Sequence, residues 1–353
     1  MRIALIHYRL LHNGGLETRL FNYLNEFRRL GHDVTLVVSK IDPQVEIHPA
    51  MKIVQVNLKR VPKPVRMYFF DRALARIIPE GNFDLSFSLG RTSNQDLVLC
   101  PGNHLGYLVA MSKGIWSPID WLNIYLDKKA YRASKYILAC SEMMKHELID
   151  LYKVDASKIE VLLPPIDATR FNATGKKQQA DWRKKYGFAP DKKSLLFLTT
   201  GNARKGYPFL LQLMEALKDE PIELVVAGVK PLNSSFNNVH YVGYANKPEE
   251  LLWAADALIH PALYEPYGQV ITEAIQCGLP VVVSQMVGAK AVVSDKEGRV
   301  VNSFDKNDWI FAIKETLTTT WNISPTFAQE HQLTVFQHCE QILALGKEAN
   351  QLI

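Results

Sequence analysis

The apolar positions of the chain fall into short runs separated by glycine, proline and polar turns, at intervals that suit alternating strands and helices. RIALIHY (2–8) reads as a short buried strand and HNGG (12–15) as a glycine turn. LETRLFNYLNEFRRL (16–30) then reads as an amphipathic helix, stopped by Gly31 before the strand VTLVV (34–38). Further apolar runs stand at DLSFSL (84–89), DLVLC (96–100) and YILACS (136–141). The last leads through Ser141, a side chain suited to helix capping, into EMMKHELIDLY (142–152). This alternation predicts a parallel sheet with helices on both faces.

VLLPPIDATRFNATGKKQQ (161–179) breaks the pattern with two prolines followed by small and polar residues, and reads as an interdomain connection. The alternation then restarts with SLLFLTTG (194–201), a helix from about Tyr207, IELVVAG (222–228), VHYVGY (239–244), a helix at PEELLWAA (248–255), DALIHP (256–261), a helix opening at Gly268, and VVVS (281–284). Pro325 to Ile353 reads as helix throughout. The expectation is an α/β protein of two Rossmann-like, doubly wound domains, 1–165 and 166–330, facing a central cleft at the carboxyl ends of their sheets. A C-terminal helix, 331–353, is expected to pack back on the first domain.

A length of 353 residues suits two domains of about 150 to 200 residues each. The charge is uneven: residues 1–165 hold 22 Lys and Arg against 16 Asp and Glu, +6, and the remainder 19 against 20, −1. The first half is therefore the candidate for meeting an anionic partner. Cys100, Cys140, Cys277 and Cys339 are widely scattered, which indicates neither a disulfide framework nor a zinc site and points to a reducing cytoplasm. No apolar run reaches the roughly 18 to 20 residues of a spanning helix, and the first residues run straight into a strand pattern. A protein that is neither exported nor membrane-spanning is expected.

Three loops carry candidate chemistry, each after an expected strand. In HNGGLET, Gly14 and Gly15 remove side chains where backbone could approach a ligand at a helix start; the plain alternative is an ordinary turn. In TTGNARKGYPFLL (199–211), Arg204 and Lys205 could clamp a phosphate, or simply face water. The spacing of Gly201 and Gly206 imitates a phosphate-binding loop, but Tyr207 stands where that motif needs lysine, which disfavours an ATPase. In HPALYEPYGQVITEAIQCGLPVVVS (260–284), Gly268 opens a helix whose first amides, at Gly268, Gln269 and Val270, could meet phosphate or sugar oxygens. Glu265 precedes those amides and Glu273 lies within the helix. A helical rise of about 12 Å across eight residues exceeds the roughly 5 to 9.5 Å between glycosidase carboxylates, so the pair suits ligand holding better than hydrolysis. The plain readings are a surface residue for Glu273 and a carboxylate near a helix start for Glu265.

Glu265, seven intervening residues and Glu273, followed by AIQCGLPVVVS, resemble the glutamate motif of glycosyltransferase family 4, whose members have the two-domain GT-B fold. The GG turn, PGNHLGYL, ACSEMMKHEL, IEVLLPPID, GNARKG, DALIHPALYEP and GAKAVV extend the likeness over most of the chain in the same order. The resemblance implies that Glu273 holds the ribose hydroxyls of a nucleotide-sugar donor and that Glu265 faces the donor sugar. It further implies that Tyr267, Gly268, Gln269 and Val270 line sugar and phosphates, that Arg204 and Lys205 neutralise the diphosphate, and that Gly14 and Gly15 lie against it from the other domain. Asn246 or its neighbours would border the base, and His104 in PGNHLGYL would stand beside the reacting sugar. The nearest subfamily is similar to the enzymes that place glucose or a related hexose on the lipopolysaccharide inner core, some of which lack histidine at that position. A retaining hexosyltransferase is expected, with UDP-glucose as donor and a lipopolysaccharide or lipooligosaccharide core, or a related lipid-linked glycan, as acceptor. Transfer is expected on the front face, the leaving phosphate taking the acceptor proton, and with no DxD motif no metal or other cofactor is required.

Two stretches bear on the acceptor side. GYLVAMSKGIWSPIDWLNIYLDKKAYRASK (106–135) combines Trp116, Trp121 and Tyr125 with Lys113, Lys128, Lys129 and Arg132, and KRVPKPVRMYFFDRALAR (59–76) carries six bases and one acid. They read either as peripheral contact with the anionic inner face of the cytoplasmic membrane or as ordinary core and solvated faces. Rival functions are a transferase using UDP-N-acetylglucosamine or another nucleotide sugar, and a non-catalytic two-lobed sugar-binding protein. A nucleic-acid partner is not expected, since no recognised module accompanies the basic charge.

Overall fold

The structure, a computed structural model, describes residues 1–11, 14–45, 51–114, 117–199, 203–228 and 236–351. It divides into two compact units, Met1–Pro165 with Thr334–Ile353, and Ile166–Leu333.

The first unit begins β1 (Arg2–Leu10), α1 (Gly15–Arg29), β2 (Asp33–Ile41), β3 (Lys52–Gln55) and α2 (Arg66–Gly81). It continues with β4 (Leu85–Ser88), β5 (Leu97–Cys100), α3 (His104–Ala110), α4 (Pro118–Ala133), β6 (Tyr136–Ala139), α5 (Glu142–Tyr152) and β7 (Ile159–Val161). All its strand pairs are parallel, in the order β3-β2-β1-β4-β5-β6-β7. Apolar runs such as Ile3 to Ile6 are buried because helices cover both sheet faces. The strand order reverses at β1, so β1 and β4 are neighbours there, and chain leaving their carboxyl ends opens a crevice.

The second unit holds α6 (Gln179–Tyr186), β8 (Lys193–Leu198), α7 (Tyr207–Ala216), β9 (Ile222–Ala227), β10 (Val239–Gly243), α8 (Pro248–Ala254) and β11 (Ala257–His260). It ends with α9 (Gln269–Gln276), β12 (Val281–Ser284), β13 (Gly298–Val301), α10 (Lys306–Thr318) and α11 (Phe327–Glu330). Its parallel sheet has the order β10-β9-β8-β11-β12-β13, with the reversal at β8 and β11, which pair through Ala257 with Leu195 and Leu258 with Leu196.

The chain's last described helix, α12 (Val335–Gln351), belongs to the first unit. Cys339, Ile342 and Ala349 enter the core formed by Tyr23, Leu24 and Phe27 of α1 with the sheet. A buried relay joins them: Arg19 Nε donates to Tyr23 Oη (2.6 Å), that hydroxyl meets His338 Nδ1 (2.9 Å), and His338 Nε2 meets the Leu163 carbonyl (2.7 Å). The continuous helix expected from Pro325 to Ile353 is corrected. It breaks at Gln332, which adopts φ 56°, because Leu333 turns inward to 1% exposure and its amide bonds back to the Ala328 carbonyl. Thr334 and Gln337 then open α12 with a capping box, the Thr-x-x-Gln pattern that marks a helix start. β3, α2, α3, α4, β7, α6, β13 and α10 are elements that the hydrophobic pattern did not mark.

His338→Leu leaves the Leu163 carbonyl without its imidazole partner and the buried Tyr23 hydroxyl with Arg19 alone, each lost bond costing about 1 to 3 kcal/mol. A stability loss of about 2 to 5 kcal/mol in urea unfolding is expected. A loss below about 1 kcal/mol would contradict the relay's role in docking α12.

Candidate functional site

The second unit's switch point sets two loops side by side, the one leaving β8 and the one leaving β11. Gly206, at φ 78°, packs so close to the second loop that a Cβ there would lie 1.7 Å from the Pro261 carbonyl oxygen. This approach lets the Arg204 carbonyl accept from the Leu263 amide (2.7 Å) while Arg204 Nη1 donates to the Tyr264 carbonyl (2.9 Å) and to Glu265 Oε2 (2.8 Å). The Glu265 backbone is held in turn: its amide donates to the Met286 carbonyl and its carbonyl accepts from Gly288, both at 3.0 Å. The expected meeting of Arg204, Lys205 and Glu265 is therefore observed, together with Tyr267 and Gly268. Gly268, at φ 92°, is the residue before α9, a backbone conformation that excludes most side chains. Its neighbours Gln269 and Val270 begin the helix, where first-turn amides favour anions.

The charges in this cluster are unequal. Burial opposes ionisation of Glu265, but the His260 imidazole 3.5 Å away and the positive charges of Arg204 and Lys205 outweigh it and hold the carboxyl at about 2. Glu273, one turn into α9, is half-buried, and burial with the nearby Glu249 and Asp167 carboxylates raises it to about 7 against the pull of Arg170 and Lys205. Glu273 is thus partly enclosed rather than a fully exposed helix residue. Lys205 is shifted in the opposite sense: burial lowers its pKa, Arg204 adds to that, and Glu265 and Glu273 offset it in part. Lys205 thus feels both carboxylates while making no hydrogen bond or ion pair among the described residues. Both contacts to the Glu265 carboxylate go to Oε2, and Oε1 has none among the described residues. The helical-rise estimate between the two glutamates applies only within α9, because Glu265 forms a parallel bridge with Val287 in a loop that is not helical. Asn246 is exposed and its carbonyl accepts from Arg170, which also pairs with Glu249 (2.9 Å).

The first unit carries the other expected residues. His104 opens α3, where Asn103 caps the helix by accepting from the Gly106 amide (2.6 Å). His104 Nε2 meets Asp120 Oδ1 (2.7 Å), while Asp120 Oδ2 closes the Ser117 capping box of α4. Gly14 precedes α1, and the carboxylate lying over it is the chain's own Glu17, whose Oε2 would be 2.0 Å from a Cβ at Gly14; Gly15 is exposed. Beside this turn, at the carboxyl ends of β1, β4 and β5, a cavity of about 420 Å³ is lined by residues including His7, Glu17, Arg91, Asn123 and Asp127. Arg91 is pre-ordered there by Asp127 (2.6 Å) and Asn123 (3.0 Å). Asp127 also accepts from the His104 amide and the Tyr152 hydroxyl, each at 3.0 Å. The sequence reading missed His7, Glu17, Arg91, Asp127 and His260. His7 and His260 share one signal that could have found them, a titratable residue near the carboxyl end of an otherwise apolar buried strand. Gly201 and the first two residues of the HNGG turn lie outside the described residues.

The raised pKa of Glu273 fixes a sign. Between about pH 4.5, the ordinary value, and 7 the folded state keeps a proton that the unfolded chain has released, so this group lowers stability as pH rises through that window. Glu273→Gln is expected to stabilise the protein by about 1 to 3 kcal/mol at pH 8 and not at pH 4 in thermal unfolding. Equal stability of the two proteins at pH 8 would contradict this.

A family model described as glycosyltransferase family 4 matches residues 13–170, and one described as glycosyl transferases group 1 matches 178–324. The chain is 31% identical over 293 residues to a probable transglycosylase of Burkholderia thailandensis, covering 82% of this chain and 78% of that protein. It is 29% identical over 157 residues to the lipopolysaccharide glucosyltransferase WaaG of Escherichia coli K12, covering 41% of this chain and 42% of that one. The solved structure of WaaG, a glycosyltransferase involved in lipopolysaccharide biosynthesis, superposes with a TM-score of 0.76 at 20% identity over 99% of each chain. Anabaena HepE in complex with UDP-glucose superposes with 0.66 at 14% identity over 100% of this chain and 99% of that one. At such identities the solved structures speak for the fold alone, and that fold is the GT-B arrangement of two Rossmann-like units. With both halves matched in order and the Burkholderia relative aligned over most of its length, the chain belongs to glycosyltransferase family 4.

Proposed function

We propose that this glycosyltransferase is a retaining hexosyltransferase that moves glucose from UDP-glucose to a lipopolysaccharide or lipooligosaccharide core acceptor. The observation that carries the reading is Lys205, half-buried and without a bonding partner among the described residues, close enough to Arg204, Glu265 and Glu273 to feel their charges. A diphosphate suits that position, because Lys205, Arg204 and the helix start would all meet the charge that grows as the sugar departs. Glu273 would accept from the ribose hydroxyls and Glu265 Oε1 from a hydroxyl of the sugar. With Glu265 Oε2 tied to Arg204, front-face transfer with the leaving phosphate accepting the acceptor's proton agrees better with the site than covalent attack by Glu265. The name of the Escherichia coli relative, a lipopolysaccharide glucosyltransferase, and the UDP-glucose in the HepE complex support the choice of sugar and nucleotide.

The acceptor would enter the first unit's cavity, where Arg91, Asn123, Glu17 and His7 offer polar groups above the apolar Leu16, Leu89 and Leu99. His104, oriented by Asp120, would serve a sugar hydroxyl. The exposed residues Trp121, Tyr125, Lys128 and Arg132 recur at helical spacing on one side of α4, and Ile119 and Val109 beside them are 52% and 58% exposed. Such a face suits an anionic lipid surface, which would bring the enzyme to a membrane-borne acceptor. Lys129 is not part of it, being paired with Asp71 (2.6 Å), and Trp116 lies outside the described residues. Among the described residues no helix is long and apolar enough to cross a membrane. In the other basic stretch Arg76 pairs with Glu80 and Arg66 bonds backbone carbonyls, which leaves α4 as the better docking face.

Thermal shift against UDP-, GDP-, ADP- and CMP-sugars is expected to select UDP-glucose, with the shift abolished in Glu273→Ala. Saturation at about 100 times the dissociation constant adds roughly 2.7 kcal/mol. Selection of UDP-N-acetylglucosamine would favour the rival donor, and binding without turnover would favour a sugar-binding protein. Co-sedimentation with vesicles containing anionic phospholipid is expected to fall at least about threefold in Trp121→Ala/Tyr125→Ala, each interfacial aromatic contributing on the order of 1 kcal/mol. Equal sedimentation of variant and wild type would remove α4 as the docking face.

A further inference from the structure

His260, the last residue of β11, is wholly buried, yet neither ring nitrogen has a hydrogen-bond partner among the described residues. That is unusual for a histidine kept for packing. His338, equally buried, uses both nitrogens in the α12 relay. Phe197 lies 6.2 Å away, ring to ring, and Pro261, against which Gly206 packs, follows in the chain. The polar neighbour of the imidazole is Glu265: Nε2 stands 3.5 Å from Oε2, the same oxygen that Arg204 Nη1 holds at 2.8 Å. Burial, joined by the charges of Lys205 and Arg204, keeps the ring neutral in spite of Glu265, so it carries one N–H and one lone pair.

We propose that His260 is a positioning residue, whose Nε2–H and the Arg204 guanidinium address Glu265 Oε2 from two sides and thereby present Oε1 alone to a hydroxyl of the donor sugar. This rests on the reading of Glu265 as the ligand of that sugar. A carboxylate held by one partner can pivot about it, whereas one addressed from two directions keeps its second oxygen in a fixed place. Precision of that kind matters most for the sugar as its ring distorts during transfer, and little for the nucleotide, whose expected ligands are Glu273 and the cations. His260 touches no reacting atom; it acts through Glu265.

The test compares His260→Phe, which keeps a ring of similar bulk without the N–H, with His260→Gln, which restores an N–H donor. In His260→Phe, kcat for transfer from UDP-glucose is expected to fall about 10- to 100-fold while the Kd for UDP stays within twofold of wild type. His260→Gln is expected to recover at least a third of the lost activity. Transfer by His260→Phe at the wild-type rate, or loss of UDP affinity in parallel with loss of transfer, would overturn the proposal. A second readout needs no turnover: carbon-detected NMR of the Glu265 carboxyl, which is expected to titrate higher in His260→Phe than in the wild type, with His260→Gln between the two. An unchanged titration in His260→Phe would overturn the pairing. A wild type that turns over no nucleotide sugar would refute the hexosyltransferase reading and leave the titration to decide on His260. Should the phenylalanine variant fail to fold, His260→Gln with more than a tenfold loss of kcat at unchanged UDP affinity would count against the N–H donor role.

Discussion

The cluster of Arg204, Lys205 and Glu265 depends on β8 and β11 lying next to one another. They are far apart in the chain and hydrogen-bonded in the sheet, and their pairing at the strand-order reversal decides which loops share a space. The loop from β8 brings Arg204 and Lys205, and the loop from β11 brings Glu265 and the start of α9. Gly206 supplies the close approach that lets Arg204 bond the second loop through both its carbonyl and its guanidinium. A slip of one residue in a parallel pair would turn each side chain to the other sheet face, so register here is also site geometry.

Two glutamates in the same small region are driven in opposite directions. Glu265 stays ionised down to about pH 2 because the His260 imidazole, a guanidinium and an ammonium beside it outweigh burial, whereas Glu273 is raised to about 7 because burial and two further carboxylates prevail. The contrast assigns different work to each. A permanently charged Glu265 anchors Arg204 through Oε2 and leaves Oε1 without a partner among the described residues, and Glu273 gains most from a ligand that donates hydrogen bonds to its carboxylate. The destabilised Glu273 is a cost to folding that a donor nucleotide would offset, a trade common where binding needs a group that stability would discard.

Much of this was legible in the chain. The alternation of apolar runs placed most strands and helices, from β1 to β12, because parallel strands buried on both faces read as continuous apolar stretches. The Glu265–Glu273 spacing, Gly268 and the Arg204–Lys205 pair stood out as loop chemistry after strands. The unforeseen parts depend on side-chain contacts that the hydrophobic pattern does not carry, several of them between residues far apart in the chain. Nothing near His260 in sequence shows that its ring faces Glu265, and nothing near Arg91 names Asp127 and Asn123 as its partners. The break at Gln332 was obscured because flanking residues on both sides favour helix, although Thr334 and Gln337 carried a capping signal. The basic stretch 59–76 left two readings open, and within it Arg66 bonds the Val61 and Lys59 carbonyls while Arg76 pairs with Glu80.

The central claim is that the cluster around Lys205 is a nucleotide-sugar site, and the most direct measurement is a crystal structure of the protein with UDP-glucose. The account predicts the diphosphate at Lys205 and the start of α9, the ribose hydroxyls on Glu273 and a glucose hydroxyl on Glu265 Oε1. UDP-glucose bound elsewhere, or bound here with Lys205 and Glu273 untouched, would contradict it.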